Sequence, residues 1–294
     1  MPTPKMRIGF LGLGIMGTPM ALNMAREFPL IAWNRTACAK RTQLFESAGA
    51  RMAKTPADVA EDAEIIFAMF ADAKALQSVI ASAGFRESLR GKTVVNTGTV
   101  SVKESRDIAA QIQHAGAAFV EMPVSGSKVP AEQAQLVGLV AGDEDVTHRI
   151  EPCVNLMTKA TVYCGRDIGA ALKMKYSVNL FMITMAVGLA EAVNFAKAQG
   201  LDLDAFARAT EAGPLVSPYL KMKMPKLVNE DWTPQGHIKN CYHSNTRIIV
   251  EAARKEGVRT PLMDVCDDLF RKATEAGLGE EDMMAVIKTI AQSD

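Results

Sequence analysis

The sequence predicts an α/β fold in which a doubly wound parallel sheet is followed by an all-helical domain. Up to residue 165, short apolar runs alternate with helix-length segments, which is the pattern of βαβ units and of a parallel sheet covered on both faces. From Ala170 onward no segment has the character of a strand. The 294 residues also fit two domains of about 150 residues each. We therefore predict domains 1–165 and 166–294.

The elements follow from the apolar pattern in chain order. Strands are predicted at Arg7–Leu11, Leu30–Trp33, Ile65–Phe70, Thr93–Val95, Ala118–Glu121, Leu136–Ala141 and Ala160–Tyr163, with helices at Met16–Glu27 and Cys38–Ala48. In the second domain, helices are predicted at Ala170–Ala198, Leu203–Ala212, Pro218–Leu227, Asn240–Gly257, Pro261–Ala276 and Glu280–Ala291. Gly200 follows the long first helix as a typical helix stop.

Composition excludes several classes of protein. The 33 basic and 33 acidic residues balance, so we expect neither nucleic acid nor a membrane surface as a partner. A hydrophobic share of 48% excludes a disordered chain. The most apolar later stretch, Leu180–Val187, is shorter than the ~20 residues that span a bilayer. The scattered cysteines and lone histidines predict no disulfide framework, no metal site and a cytoplasmic protein.

A glycine-rich motif follows the first predicted strand and begins the first helix. It is G-x-G-x-x-G, formed by Gly12, Leu13, Gly14, Ile15, Met16 and Gly17. Such glycines allow a tight turn and the close approach of a pyrophosphate, which the N–H groups at the helix start then bind. The alternative is a plain structural turn. The strand–turn–helix context favours dinucleotide binding.

The end of the second strand predicts which nicotinamide cofactor binds. An Asp or Glu is expected there for the ribose hydroxyl of NAD, but the chain has Asn34, Arg35 and Thr36. A neutral Asn does not repel a 2′-phosphate, and an adjacent guanidinium can pair with it. NADPH is therefore favoured, with NAD as the weaker alternative. Alternatively, Arg35 is a solvated turn residue.

The long helix of the second domain carries a candidate proton donor. Lys175 and Asn179 are four residues apart and share one otherwise apolar face. Desolvation on that face would lower the pKa of the lysine toward the range of a general acid. From spacing alone, a snorkelling lysine beside a core asparagine is an equal alternative. Lys173 lies on a different face.

Four segments together resemble the β-hydroxyacid dehydrogenase family. They are the glycine-rich segment 8–18, Trp33-Asn34-Arg35, the segment Met122–Glu132 and the stretch from Gly169 through Lys175 to Asn179. The S-G-S-K-x-P-A-E form within Met122–Glu132 is similar to the family's glyoxylate/succinic semialdehyde reductase branch. The matches occur in order over nearly the whole chain, which makes them far more specific than any one motif.

The resemblance implies a Rossmann domain, a helical domain and a site in the cleft between them. It implies Lys175 as the catalytic lysine with Asn179 as its companion, and Ser125, Gly126 and Ser127 as the loop that anchors a substrate carboxylate. It also implies that Met69, Phe70 and Ala71 run along the cofactor, with Thr99 near the nicotinamide. Ser hydroxyls and Gly N–H groups suit a carboxylate, and a lysine can protonate the oxygen left by hydride transfer.

Two departures from the family pattern leave the substrate open. The usual Lys-Asp of a later helix is Ser244-Asn245 here, where Asn245 is the candidate substrate contact and His243 lies beside it. The usual acid-x-Ser-Thr is Asn96-Thr97-Gly98-Thr99.

The leading hypothesis is an NADPH-dependent reductase of a small aldehyde or keto acid of the succinic semialdehyde or glyoxylate type. Alternatives are a 3-hydroxyisobutyrate or tartronate semialdehyde specificity, or a non-catalytic NADP-binding protein. Because one small domain is not expected to cover the apolar long helix, we predict a homodimer or homotetramer.

Overall fold

The computed structural model describes residues 5–291. Contacts within the chain divide it into two compact units, Met1–Lys175 and Tyr176–Asp294. The division follows Lys175, whereas the apolar pattern predicts a boundary after residue 165, where the last strand ends. The start of the long helix belongs with the first unit because a buried carboxylate of that unit binds its first turn.

The described residues of the first unit form a nine-stranded sheet. Its strands are β1 (Ile8–Leu11), β2 (Leu30–Trp33), β3 (Arg51–Met52), β4 (Ile65–Ala68), β5 (Thr93–Asn96), β6 (Ala118–Glu121), β7 (Val124–Ser125), β8 (Leu136–Ala141) and β9 (Thr158–Gly165). Their order is β3-β2-β1-β4-β5-β6-β8-β7, with β9 paired to β8. The order reverses between β1 and β4, and ligands of doubly wound sheets bind at such a switch point, beyond the carboxyl ends of the strands.

Seven helices of the first unit connect and cover these strands. They are α1 (Gly17–Ala25), α2 (Ala39–Ser47), α3 (Pro56–Asp62), α4 (Ala73–Ile80), α5 (Val102–His114), α6 (Lys128–Glu132) and α7 (Glu144–Val154). Thr55 and Ser101 begin α3 and α5 with capping boxes, in which side chain and backbone satisfy each other's hydrogen bonds. Strands β1 and β4 are fully buried, as expected for parallel strands covered on both faces.

The predicted fold class is confirmed, and the structure adds three details of the sheet. β1 to β6 are parallel, but β8 runs antiparallel to both β6 and β7. The chain returns from β7 to β8 through the five-residue helix α6, and short connections suit antiparallel neighbours. Two-residue strands β3 and β7 were not predicted, since two residues display no periodicity.

The described residues of the second unit form helices joined by turns and loops, and their β structure is limited to an isolated bridge between His237 and Asp282. Its helices are α8 (Ala170–Ala198, which begins in the first unit), α9 (Leu203–Ala212), α10 (Pro218–Val228), α11 (Ile238–Cys241), α12 (Arg247–Lys255), α13 (Pro261–Ala273) and α14 (Ile287–Ile290). The bounds predicted for α8 and α9 are confirmed.

Two helix predictions in this unit hold only in part. The helix predicted over Asn240–Gly257 is present as a continuous helical run over 238–255, but a π-helical turn at Tyr242–Thr246 interrupts it between α11 and α12. The last helix is a 3-10 turn at Met283–Val286 followed by α14. Asp282 delays its start because the carboxylate accepts the Met284 N–H and pairs with the buried Lys223.

Helix α8 is the longest element of the chain. Within residues 5–291 it alone is long and apolar enough to cross a membrane by length and composition, with a mean hydropathy of 1.5. Leu180–Val187, the most apolar stretch noted in the sequence, lies within this helix. Core helices of soluble proteins meet the same two criteria.

Candidate nucleotide-binding and catalytic residues

The glycine-rich loop between β1 and α1 has the form that the sequence predicts. Gly12 has a φ of +91°, and a Cβ there would lie 2.3 Å from the Met69 carbonyl oxygen. A Cβ on Gly17 would lie 1.9 Å from the Gly12 carbonyl oxygen, so both positions require glycine. Gly14 differs, since nothing lies within 4 Å of the position its Cβ would take. The loop is thus tight against the protein and open at Gly14.

The start of α1 is left available for an anion. Its N-cap residue, Met16, makes no side-chain hydrogen bond, and its first turn contains no acidic residue. An uncapped helix start presents N–H donors and the positive end of the helix dipole. With the open space at Gly14, these residues fit the pyrophosphate of a dinucleotide. Ile15 is exposed in the same loop.

Asn34 connects this loop to the end of β2. Its Oδ1 accepts the Leu13 N–H at 2.8 Å, and its Nδ2 donates to the Thr36 carbonyl oxygen at 3.0 Å. Arg41 donates to the same oxygen at 3.2 Å. The asparagine thus organises the loop, a role that sequence reasoning missed. Arg35 and Thr36 are exposed beside it.

The segments after β4 and β5 lie next to each other. Met69 donates its N–H to the Leu11 carbonyl oxygen, and its sulfur accepts from Thr97 Oγ1 at 3.3 Å. Phe70 and Thr99 are half-buried, while Ala71 is exposed. A Cβ at position 98 would lie 3.0 Å from the Phe70 carbonyl oxygen. A side chain at position 98 would therefore require the Phe70 backbone to shift slightly, which glycine avoids.

Ser125, Gly126 and Ser127 form the turn between β7 and α6. Gly126 has a φ of +131°, and a Cβ there would lie 2.7 Å from Leu136 Cδ2, so the turn needs glycine. Ser125 pairs with Val137 of β8 and is half-buried, and Ser127 is the N-cap residue of α6. The structure places both hydroxyls on one short turn of the first unit.

Glu121, at the end of β6, is a buried carboxylate that sequence reasoning missed. It accepts hydrogen bonds from Ser105 Oγ at 2.5 Å, from Gly169 N at 3.1 Å and from Leu172 N at 3.0 Å. Burial raises its pKa above the usual range, against the effect of these hydrogen bonds. The donors Gly169 and Leu172 lie at the start of α8, so Glu121 ties that helix to the sheet. The signal was a charged residue ending an otherwise apolar strand.

Lys175 lies one turn further along α8. Its side chain is only 6% exposed, and removal of the ammonium from water lowers its pKa to about 8. That desolvation is the only cause of the shift. Lys173 is exposed by comparison, in agreement with the prediction that the two lysines lie on different faces. A lysine with such a pKa exchanges a proton readily near neutral pH.

Asn179 follows Lys175 by four residues on α8 and is 4% exposed. Its Nδ2 donates to Asn245 Oδ1 at 2.6 Å, and the Nδ2 of Asn245 donates to the Asn240 carbonyl oxygen at 3.1 Å. The structure thus brings together two residues that the sequence singled out separately. The neighbouring His243 is exposed, and its ring lies against that of Tyr242 with the centroids 4.7 Å apart and the planes tilted by 51°.

Two family profiles together match most of the chain. One, described as the NAD binding domain of 6-phosphogluconate dehydrogenase, matches residues 7–165. The other, described as NAD-binding of NADP-dependent 3-hydroxyisobutyrate dehydrogenase, matches residues 169–290. The first covers more than half of the chain, so the match shows the family.

Individual relatives agree with these profiles. Glyoxylate/succinic semialdehyde reductase 1 of Arabidopsis thaliana is 33% identical over 288 residues, covering 97% of this chain and 98% of that protein. Cytokine-like nuclear factor N-PAC of Homo sapiens is 29% identical over 290 residues, but the chain spans only 52% of its length. The structure of 3-hydroxyisobutyrate dehydrogenase (ygbJ) from Salmonella typhimurium superposes with a TM-score of 0.88 at 22% identity, covering 96% of this chain and 99% of that one. The chain therefore belongs to the 3-hydroxyisobutyrate dehydrogenase-like family of β-hydroxyacid dehydrogenases, in the glyoxylate/succinic semialdehyde reductase branch, and is an oxidoreductase that acts on CH–OH groups with a nicotinamide cofactor.

Proposed function

We propose that the protein is an NADPH-dependent reductase of a small aldehyde or keto acid of the succinic semialdehyde or glyoxylate type, with Lys175 as the proton donor. The observation that carries this proposal is the buried lysine, whose pKa is lowered to about 8. A solvated lysine releases its proton near pH 10.4 and is a poor acid at neutral pH. A lysine with a pKa near the working pH is an efficient one.

Different residues are proposed to bind the substrate, to orient the lysine and to transfer the proton. A bound nicotinamide cofactor supplies the hydride. Lys175 donates a proton to the carbonyl oxygen as negative charge develops on it, and its positive charge stabilises that oxygen beforehand. Ser125, Ser127 and the Gly126 backbone hold the substrate carboxylate, and Asn179 directs the lysine. In the reverse direction the neutral lysine accepts the hydroxyl proton of the hydroxyacid.

Several features support NADPH over NADH. Arg35 is exposed beside the open glycine-rich loop, and no carboxylate of residues 5–291 is within ion-pairing distance of its guanidinium. An open surface cleft lined in part by Lys40 and Arg41 adds two cations near the same loop. Three cations and no adjacent acid suit a 2′-phosphate. One matching family profile is also described as NADP-dependent.

The substrate class comes from the family branch together with the serine turn. The Arabidopsis relative is named a glyoxylate/succinic semialdehyde reductase, and both of those substrates are small aldehydes that carry a carboxylate. Hydroxyls and a glycine N–H are suitable donors to such a group. The 3-hydroxyisobutyrate and tartronate semialdehyde types share these groups and remain the alternative specificities.

The proposal is tested by Lys175→Ala, with Lys173→Ala as the matched control two residues away. NADPH oxidation is measured with succinic semialdehyde, glyoxylate and a panel of related acids, and NADPH binding is measured by fluorescence. Loss of a general acid typically costs about 10²–10⁴ in rate. We expect this loss in kcat for Lys175→Ala, unchanged NADPH affinity, and wild-type values for Lys173→Ala. Full turnover by Lys175→Ala would reject the lysine as the donor.

We also propose that two copies of the chain associate through α8. One face of this helix carries apolar or small residues that alternate at spacings of four and three: Met174, Val178, Phe181, Met185, Gly188, Ala192 and Phe195. Phe181 and Phe195 are 69% and 67% exposed. This spacing is typical of the contact face between two packed helices. A second copy of α8 would contribute the same residues to that face.

A further inference from the structure

Asn245 lies in an unusual stretch of backbone. The turn Tyr242–Thr246 is π-helical, and such turns insert an extra residue into a helix and occur frequently at functional sites. The Asn245 side chain uses the wider turn, since its Nδ2 reaches the carbonyl oxygen of Asn240, five residues earlier, at 3.1 Å. The π-helical turn therefore fixes one end of the Asn245 amide.

This contact sets the direction of a chain of hydrogen bonds. A side-chain amide has one accepting oxygen and one donating nitrogen, and the Asn240 carbonyl can only accept. The nitrogen of Asn245 must face it, so the oxygen of Asn245 faces Asn179. Asn179 Nδ2 donates to that oxygen at 2.6 Å. The Asn179 oxygen therefore lies at the end of this hydrogen-bond chain that is opposite to Asn240.

The oxygen at that end has no partner. Asn179 Oδ1 is buried and accepts no hydrogen bond from residues 5–291. Asn179 as a whole is only 4% exposed. A buried acceptor without a donor is unfavourable, because it has lost its hydrogen bonds to water and gained none in return. Turning the Asn179 amide over would not relieve this cost, because two oxygens would then face each other between Asn179 and Asn245.

We propose that Asn245 is a positioning residue that holds the Asn179 carbonyl oxygen in place as an obligatory acceptor for an O–H or N–H donor of the reacting groups. Asn245 acts through Asn179, since its nitrogen already donates to Asn240 and its oxygen already accepts from Asn179. The inference rests on the proposed function only where it assigns that donor to the reacting groups. The directions of the Asn179 and Asn245 amides follow from their hydrogen bonds.

A double-mutant cycle tests whether Asn245 acts through Asn179. The variants are Asn245→Ala, Asn179→Ala and the double variant, each assayed for kcat and KM. Loss of one correctly oriented neutral hydrogen bond costs about 1.4 kcal/mol, which corresponds to a tenfold decrease in rate. We expect Asn245→Ala to lower kcat about tenfold when Asn179 is present and less than twofold when it is absent. Equal losses in both backgrounds would overturn the proposal.

A second measurement does not depend on activity. In protein labelled with ¹⁵N at asparagine, exchange of the Asn179 side-chain amide protons with solvent is followed by NMR. We expect these protons to be protected in the wild type and in Asn245→Asp, which keeps an acceptor, and unprotected in Asn245→Ala. The matched control is His243→Ala, an exposed residue of the same turn. Unchanged protection in Asn245→Ala would overturn the proposal even if Lys175 proved to be the proton donor, and an inactive wild type would not affect this readout.

Discussion

At the scale of single residues, we expect the ionisation of Lys175, the proposed proton donor, to determine how the reaction depends on pH. Reduction needs the ammonium form, so we expect kcat/KM for reduction to fall as pH rises through about 8, the pKa to which burial lowers this lysine. Oxidation of the hydroxyacid needs the neutral amine, so its kcat/KM should rise through the same range. Both profiles are measured by steady-state kinetics.

The control for this profile is Lys175→Arg. Arginine stays charged throughout the accessible range, so the variant, though slower, should show no descending limb near pH 8 in reduction. A limb at the same pH in the variant would mean that another group titrates there.

Arg35 and Asn34 are the residues proposed to set the cofactor preference. Arg35→Ala removes a guanidinium proposed to pair with the 2′-phosphate, and a charge-assisted hydrogen bond is worth about 1.5–3 kcal/mol. We expect NADPH affinity to fall about 10- to 100-fold and NADH affinity to change less than twofold, as measured by fluorescence titration. Asn34→Asp keeps the acceptor for Leu13 N and adds a negative charge, so it should shift preference toward NADH. Equal losses for both cofactors would refute the assignment.

At the scale of elements, Glu121 anchors the start of α8. Glu121→Ala would leave the buried donors of Ser105, Gly169 and Leu172 without their acceptor. We expect the free energy of unfolding to fall by about 3 kcal/mol, measured by urea denaturation. Glu121→Gln keeps the shape and one acceptor oxygen and should lose less.

The matched control for this prediction is Glu132→Ala, since Glu132 is exposed and should leave stability unchanged. A Glu121→Ala protein as stable as the wild type would show that water or other groups satisfy those donors.

The elements also show how far sequence reasoning extends. Strong periodicity and clear stop signals located β2, β6, β8 and α8 at their observed bounds. The π-helical turn was not predicted, because an extra residue in a helix leaves the apolar repeat on either side intact. Glu121 and the loop-forming role of Asn34 were missed for a different reason. Their partners lie far along the chain and become neighbours only when the strands pair.

At the scale of the whole molecule, the exposed face of α8 predicts association. Phe181→Asp and Phe195→Asp each place a charge on the face proposed to meet a second copy, where both phenylalanines are largely exposed in the single chain. We expect each to weaken association at least about tenfold, measured by analytical ultracentrifugation. Ala205→Asp, which adds the same charge at an exposed position of α9 outside this face, should have no effect. A wild type that sediments as a monomer would contradict the proposal.

The family and the fold class followed from the sequence, since four ordered motifs and the βαβ pattern agree with each other. The site was predicted less completely. Its residue types were recognisable, but the burial of Lys175 and the direction of the Asn179 amide depend on packing that no single motif records. The substrate depends on the same packing, which is why the departures at Gly98 and Asn245 left it open.

The π-helical turn has a consequence for the history of this chain. Removing one residue from Tyr242–Thr246 would restore regular α-helical spacing. It would also rotate α12 by about 100° relative to α11. A deletion here would therefore separate Asn245 from either Asn240 or Asn179, whereas exchange of exposed side chains such as His243 leaves the turn in place.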